Sequence, residues 1–406
     1  LINSTTGALS GIRVLEIPGA MTAYCGKLFA DLGAEVILVE PRGGTHTRER
    51  TSVRSRDSLR FAYLNAGKRS IELDLDSATG QHAFATLAAQ AALILESERP
   101  GVMRSRGLAF DDLQRRAPGL VYTSITPFGQ SGAYAQYQAE DLVLLAMGGL
   151  LSLAGFVDSA PTRVWGDQAI LAAGQFAAVG SVAAVYHAEA RGQGQYVDVS
   201  AQECVVMGLE NAAQFVDLEG TVRKRAGGAV RFAGTGIFPC ADGEVFAMAA
   251  GVGEPRFWRN TVAWLRDEGV AGVDEIADDK WSNYRFLATP EAKAVFRKIF
   301  APFALPRTRD YLYHEGQRRG TPIVPVASAS DLVSHRQLAH RGFFVPFPGP
   351  GNTPGSLMPG APYKLHGTPW SVQGPAPMPG EHSREIAAAF GLEPAAIVSS
   401  FTQEAS

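Results

Sequence analysis

Over the first 130 residues, short apolar runs rich in Val, Ile and Leu alternate with stretches of helical periodicity. Residues 12–17 read as a buried strand and Pro18-Gly19 as a turn. A helix over 23–32 is closed by Gly33, and a second strand over 35–40 is cut off by Pro41-Arg42-Gly43-Gly44. Strand–helix–strand at this spacing is a βαβ unit, which requires a parallel sheet covered by helices. The strand pattern returns at 70–75, 91–96 and 120–125, with helical periodicity over 77–90. Four or five such strands predict an open, doubly wound α/β sheet. Residues 168–190 are Ala-rich and uncharged until Glu189, and a helix apolar almost all round is a buried one. Gly192 and Gly194 end it, and 195–199 follows as a strand. A Gly/Arg/Ala-rich stretch at 224–236 then leads to a second unit, with a strand over 244–248, helices over 254–267 and 290–301, and a closing strand at 323–326. From 347 to 379 the chain is dense in Pro and Gly, which predicts an extended connection. A last helix covers 383–390.

Composition narrows the classes. Of 406 residues, 46% are apolar and 19% charged, enough for a full-sized core, and the formal net charge is −3. Bulk charge therefore suggests neither a nucleic-acid nor an anionic-membrane partner. Cys25, Cys204 and Cys240 lie far apart with no CxxC pairing, which argues against a disulfide framework or zinc knuckle and favours a reducing compartment. The apolar stretch 142–157 is too short to span a bilayer, and the opening LINSTTGALSG has no leader-like apolar core. A cytoplasmic, soluble protein is the expectation. The first βα turn, 17–26, carries neither G-x-G-x-x-G nor a P-loop, so NAD and ATP are disfavoured. The histidines show no metal-ligand spacing, no G-x-S-x-G elbow occurs, and Cys25 suits packing better than activation.

The informative carboxylate is Asp167, at the head of the apolar helix in Arg163-Val164-Trp165-Gly166-Asp167-Gln168. Two readings stand. Asp is a favoured N-cap. Alternatively, a partly desolvated carboxylate kept ionised by the helix end is suited to attack an activated acyl group, although the dipole supplies only about 0.3–1 kcal/mol. Glu140 and Asp141, ahead of the apolar run, form a second acidic pair whose plain reading is a solvated helix start.

Several ordered segments together resemble the family III acyl-CoA transferases, the group containing formyl-CoA and carnitine CoA-transferases and related to the α-methylacyl-CoA racemases. They are LSGIRVLE at 9–16, YCG at 24–26, ADLGAEVI at 30–37, LNAGKRSIELDL at 64–75, RPGV at 99–102, AMGGL at 146–150, GQGQYVDV at 192–199, PCADG at 239–243 and GEH at 380–382. The resemblance implies an interlocked homodimer, with a Rossmann-like large domain built around a parallel sheet and a smaller α/β domain. The large domain would take 1–223 and 380–406, a linker 224–236, the small domain 237–330, and an extended return 331–379. It implies Asp167 as the nucleophile, forming an aspartyl anhydride and then an aspartyl-CoA thioester. Coenzyme A is then a co-substrate and no cofactor is permanently bound; a carboxylic acid is the other substrate. The same resemblance carries CoA contacts onto Ala20, Met21, Arg42, Ser97, Arg104, Arg106 and Gln138, though Pro41, Ser97, Ser105 and Gln138 depart from the usual residue types. Gly227 and Gly228 are the nearest match to a glycine loop that shields the site, and Glu140, Asp141 and these glycines are the substrate or oxyanion candidates. The racemase branch has a histidine where this chain has Glu140, which ranks racemase below transferase. A CoA-binding subunit without chemistry, or a heteromer with a paralogous chain, are the further alternatives.

Overall fold

The computed structural model describes residues 7–48, 56–156, 158–209, 212–225, 232–250, 255–348, 356–393 and 396–397. The chain divides into two compact units. The first comprises 1–150, 164–219 and 340–406, and the second 151–163 and 220–339.

The first unit is built on six strands: β1 (Arg13–Glu16), β2 (Glu35–Glu40), β3 (Arg69–Glu72), β4 (Leu93–Glu96), β5 (Val121–Thr126) and β6 (Tyr196–Ser200). They pair in the order β3-β2-β1-β4-β5-β6, every pair parallel. Strands buried on both faces must be apolar without alternation. This explains why EVILVE and LILE were conspicuous runs in the sequence. One face packs on helix α3 (Ala78–Ala88), which follows β3, and on the C-terminal helix Ser383–Phe390, in a core that includes Leu15, Ile37, Ile71, Ile94 and Phe84. Glu72 N donates to Ser383 Oγ (3.1 Å) and Gly380 N to Ser70 Oγ (2.9 Å), so the C-terminal segment closes the β3 edge.

Across the other face lie α1 (Thr22–Asp31) and the 24-residue helix Gln168–Arg191. Small residues set their approach: Gly174 stands against Tyr24 and Cys25, where an added Cβ would come within 3.0 Å of Tyr24 Cβ. By length and mean hydropathy (1.7 over 18 residues) this helix could cross a membrane, and half of that window is buried within the protein. The apolar stretch expected over 142–157 instead begins as a short helix, Asp141–Met147, capped at its end by Gly148.

The second unit carries an antiparallel sheet of β7 (Thr235–Cys240), β8 (Gly243–Met248) and β9 (Ile323–Pro325). Its core is aromatic, with Trp258 stacked on Trp281 (centroids 5.0 Å apart) beside Phe296 and Phe300. The segment read as wholly extended, 331–379, differs in its first half. It holds the helix Arg336–His340 and a hairpin of β10 (Phe344–Pro346) and β11 (Leu357–Pro359). Three-residue strands ending in proline are too short to leave an alternation in the sequence. The glycines at 227 and 228 lie outside the described residues.

Candidate functional site

A 3-2-1-4-5-6 sheet reverses its winding between β1 and β4. Ligands of such sheets bind beyond the carboxyl ends of the strands at that reversal, where the two outgoing loops diverge. Here the loops are 17–21 after β1 and 97–100 after β4. Together with 137–140 they line a cleft of about 650 Å³, walled on one side by Leu142 and Val143. The turn after β1 is tight because Thr22 Oγ1 accepts from Gly19 N (3.0 Å) and donates to Ile17 O (3.2 Å). A Cβ at Gly19 would run into Ser97 Oγ, so a larger residue there would have to turn that hydroxyl aside.

Two recesses adjoin the cleft at Pro18 and His46. One of about 620 Å³ shares Ile17, Pro18, His46 and Glu98 with it and adds Arg42, Asp74 and Arg106. The other, of about 200 Å³, shares Pro18, Gly19, Ala20 and His46 and is lined further by Arg60, Phe61 and Asn65 from α2 (Arg56–Asn65).

Asp167 occupies the N-cap position of the long helix, reached through Gly166 at φ +88°, a conformation that favours glycine. Its carboxylate makes no capping bond to that helix. Instead Oδ2 pairs with Nη1 of Arg60, the side chains being 18% and 35% exposed. Capping falls to Asp141, whose Oδ1 accepts from the backbone of Ala169 (2.8 Å) and Ile170 (3.4 Å). Asp141 is therefore not half of a solvated acidic pair. It is only 4% exposed, whereas Glu140 stands in solvent at the cleft. With one aspartate satisfying the helix end, the other's carboxylate is directed to a cation in a cavity wall.

The remaining residues proposed from sequence distribute unevenly. Ala20, Met21, Ser97 and Gln138 line the main cleft; Gln138, with its amide oxygen toward Arg99, accepts from Nε at 2.9 Å. Arg42 and Arg106 share the adjoining recess, where Arg106 is held by Asp76 (2.8 Å) and Glu98 (3.4 Å). Arg104 is not brought to them. It is 70% exposed, pairs with Asp111 (3.2 Å), and borders another recess with Glu96, Tyr122 and Tyr196, which meets the cleft at Arg99 and Pro100. Sequence reasoning missed Arg60, His46 and Arg99. Helix α2 was not foreseen, so nothing marked Arg60. Arg99 stood in a recognised RPGV motif and was the more discoverable of the three.

Other reactive groups are disposed of by their surroundings. Cys25 is buried against Ser181, and desolvation pushes its thiol well above the ordinary range, which leaves it a packing residue. Among the described residues no group of three His, Cys, Asp or Glu is arranged to hold a metal.

The chain is 39% identical over 386 residues to the BbsE subunit of succinyl-CoA:(R)-benzylsuccinate CoA-transferase from Thauera aromatica, with 93% of each chain covered. It is 32% identical over 385 residues to succinyl-CoA–D-citramalate CoA-transferase of Chloroflexus aurantiacus, covering 93% of this chain and 92% of that one. The crystal structure of a CAIB/BAIF family protein from Brucella suis superposes with a TM-score of 0.79 at 25% identity, over 95% of this chain and 100% of the other. Residues 9–383 match the family described as CoA-transferase family III. This protein belongs to CoA-transferase family III and is a CoA-transferase, an enzyme that moves coenzyme A between an acyl-CoA thioester and an acid.

Proposed function

We propose that Asp167 is the nucleophile of this transfer and that the donor is succinyl-CoA. The observation that carries the first part is the Asp167 carboxylate itself. It is mostly desolvated, charge-paired to Arg60 in the wall of a cavity, and relieved of helix capping by Asp141. A carboxylate paired to a guanidinium and mostly withdrawn from water is suited to attack on a thioester carbonyl. Attack forms an aspartyl anhydride and releases CoA thiolate; the thiolate then attacks the aspartyl carbonyl, giving an aspartyl-CoA thioester and the free donor acid. An acceptor acid reverses these steps. The main cleft and the recess holding Arg42 and Arg106 have the size and the cationic side chains to take the pantetheine arm and phosphates of coenzyme A. The donor assignment draws on the two relatives, both named for succinyl-CoA.

Incubation with succinyl-CoA followed by hydroxylamine should leave a hydroxamate on Asp167, located by peptide mass spectrometry. Incorporation of solvent deuterium at the α-carbon without a hydroxamate would instead identify a racemase, and Glu140 in place of a histidine weighs against that outcome.

For assembly we favour an interlocked homodimer in the cytoplasm, with the large domain taking both chain ends. The long helix exposes Phe176 (43%), Val179 (70%) and Tyr186 (74%), an apolar stripe suited to cover by a second copy. Light scattering after gel filtration should report two chains per particle, and a monomer would discard the idea. Pairing with a paralogous chain is the variant suggested by the word subunit in the Thauera relative's name.

A further inference from the structure

The Arg60–Asp167 pair raises an electrostatic question once Asp167 reacts. While the aspartate is a carboxylate, the pair is neutral overall. Acylation removes the negative charge from Asp167, yet a guanidinium cannot shed its proton in a protein. Arg60 is 35% exposed, so water compensates it only in part.

Following the charge through the reaction shows where its partner goes. In the first step an Asp167 oxygen bonds to the thioester carbonyl carbon, the C–S bond breaks, and sulfur leaves with the electron pair. In the second, sulfur bonds to the aspartyl carbonyl carbon, the C–O bond breaks, and the donor acid leaves as a carboxylate. One negative charge is present throughout; it moves from Asp167 to sulfur to the free acid. When the acceptor enters, it brings the same charge on the same kind of group. The departing and arriving carboxylates must both lie next to the aspartyl carbonyl, hence next to the arginine that faces it. Arg60 also lines the cavity that opens between Ala20 and Asn65, so its fork is presented to a bound molecule as well as to Asp167.

We infer that Arg60 is the shared counter-ion of this site: it orients Asp167 in the resting enzyme and passes to the carboxylate of the free acid whenever Asp167 is acylated. Its planar donors fit either carboxylate in the same way, and a lysine would supply the charge without the fork. Arg60 is thus a positioning residue for Asp167 and a binding residue for the acid substrate. This rests on Asp167 being the nucleophile.

Isotope exchange between succinyl-CoA and labelled succinate tests it with one acid in both roles. Arg60→Gln should raise the KM for succinate about 10–100-fold, the size of a lost charge-assisted hydrogen bond. Its KM for succinyl-CoA should stay within about threefold, and Asp167 should still be trapped by hydroxylamine. Arg60→Lys should fall between the two, and it reads the same parameter should Arg60→Gln fail to fold. An unchanged succinate KM with Asp167 still trapped would overturn the counter-ion while leaving the nucleophile intact, as would a fall in kcat alone. Absence of the Asp167 hydroxamate in the unmodified enzyme would overturn both.

Discussion

β1 and β4 are neighbours in the sheet, and each ends in a glutamate that is almost fully buried, Glu16 at 0% and Glu96 at 3% exposure. Their electrostatic solutions are opposite. Glu16 accepts from Lys68 Nζ at 2.7 Å with both side chains sealed from water, and Lys68 also donates to Asn65 Oδ1 (2.9 Å) and Ala23 O (3.0 Å). Burial pushes the Lys68 ammonium below its ordinary pKa, against the pull of Glu16. Glu96 accepts from the Glu98 backbone (2.6 Å), and among the described residues no ion pair is formed by its carboxylate. Desolvation pushes its carboxyl up to about 7. The same residue type, on adjoining strand ends, is paired with a buried lysine in one place and drawn toward neutrality in the other. Asp167 belongs to neither class. It has a cation but is not sealed, and that intermediate condition is the one compatible with attack on a substrate.

Four substitutions probe that contrast. Removing the proposed nucleophile as Asp167→Asn should cut exchange by at least about 10³-fold, since on that proposal its carboxylate carries the covalent step. The accompanying stability loss, read by urea titration, should stay within about 1 kcal/mol because the Arg60 pair is partly exposed. Retained turnover would take Asp167 out of the mechanism and return it to a structural role.

Lys68→Met leaves Glu16 buried without its cation and should cost about 3–5 kcal/mol. Adding Glu16→Leu to that variant should recover much of the loss. If the double variant is no more stable than Lys68→Met alone, the pair is not what distinguishes Glu16 from Glu96.

The smallest effect concerns Glu96. Its native carboxyl keeps a proton to higher pH than the unfolded chain does, so the stability it contributes is complete below about pH 4.5 and is lost as pH rises through about 7. Denaturation free energy should therefore fall by about 2–4 kcal/mol more across that window in the unmodified protein than in Glu96→Gln. Parallel curves for the two proteins would show that Glu96 ionises freely.

Much of the architecture could be read from local pattern. The strand at 35–40 and the helix at 383–390 were legible to the residue, and the other strands of the parallel sheet to within one to three positions, because burial on both sheet faces leaves uninterrupted apolar runs. By contrast, β7 and the helix Arg309–Arg319 were not read. Helix α2 was missed, as its core-facing positions are interspersed with Arg, Asp and Ser, and the β10–β11 hairpin was missed because its strands are three residues long.

At the site, the sequence alone marked Asp167, through its place at the head of an apolar helix and through family motifs, but it could not choose between cap and nucleophile. The tertiary structure gave the capping role to Asp141, which it carries to the backbone of Ala169 across 28 residues, and set Arg60 against the carboxylate of Asp167, the geometry on which the proposed nucleophile rests. Local pattern reports which side of an element must avoid water, since that depends on neighbours three or four positions away. The charge state and reach of a carboxylate depend on which cation or amide the fold sets a few ångströms from it, and those partners come from distant parts of the chain.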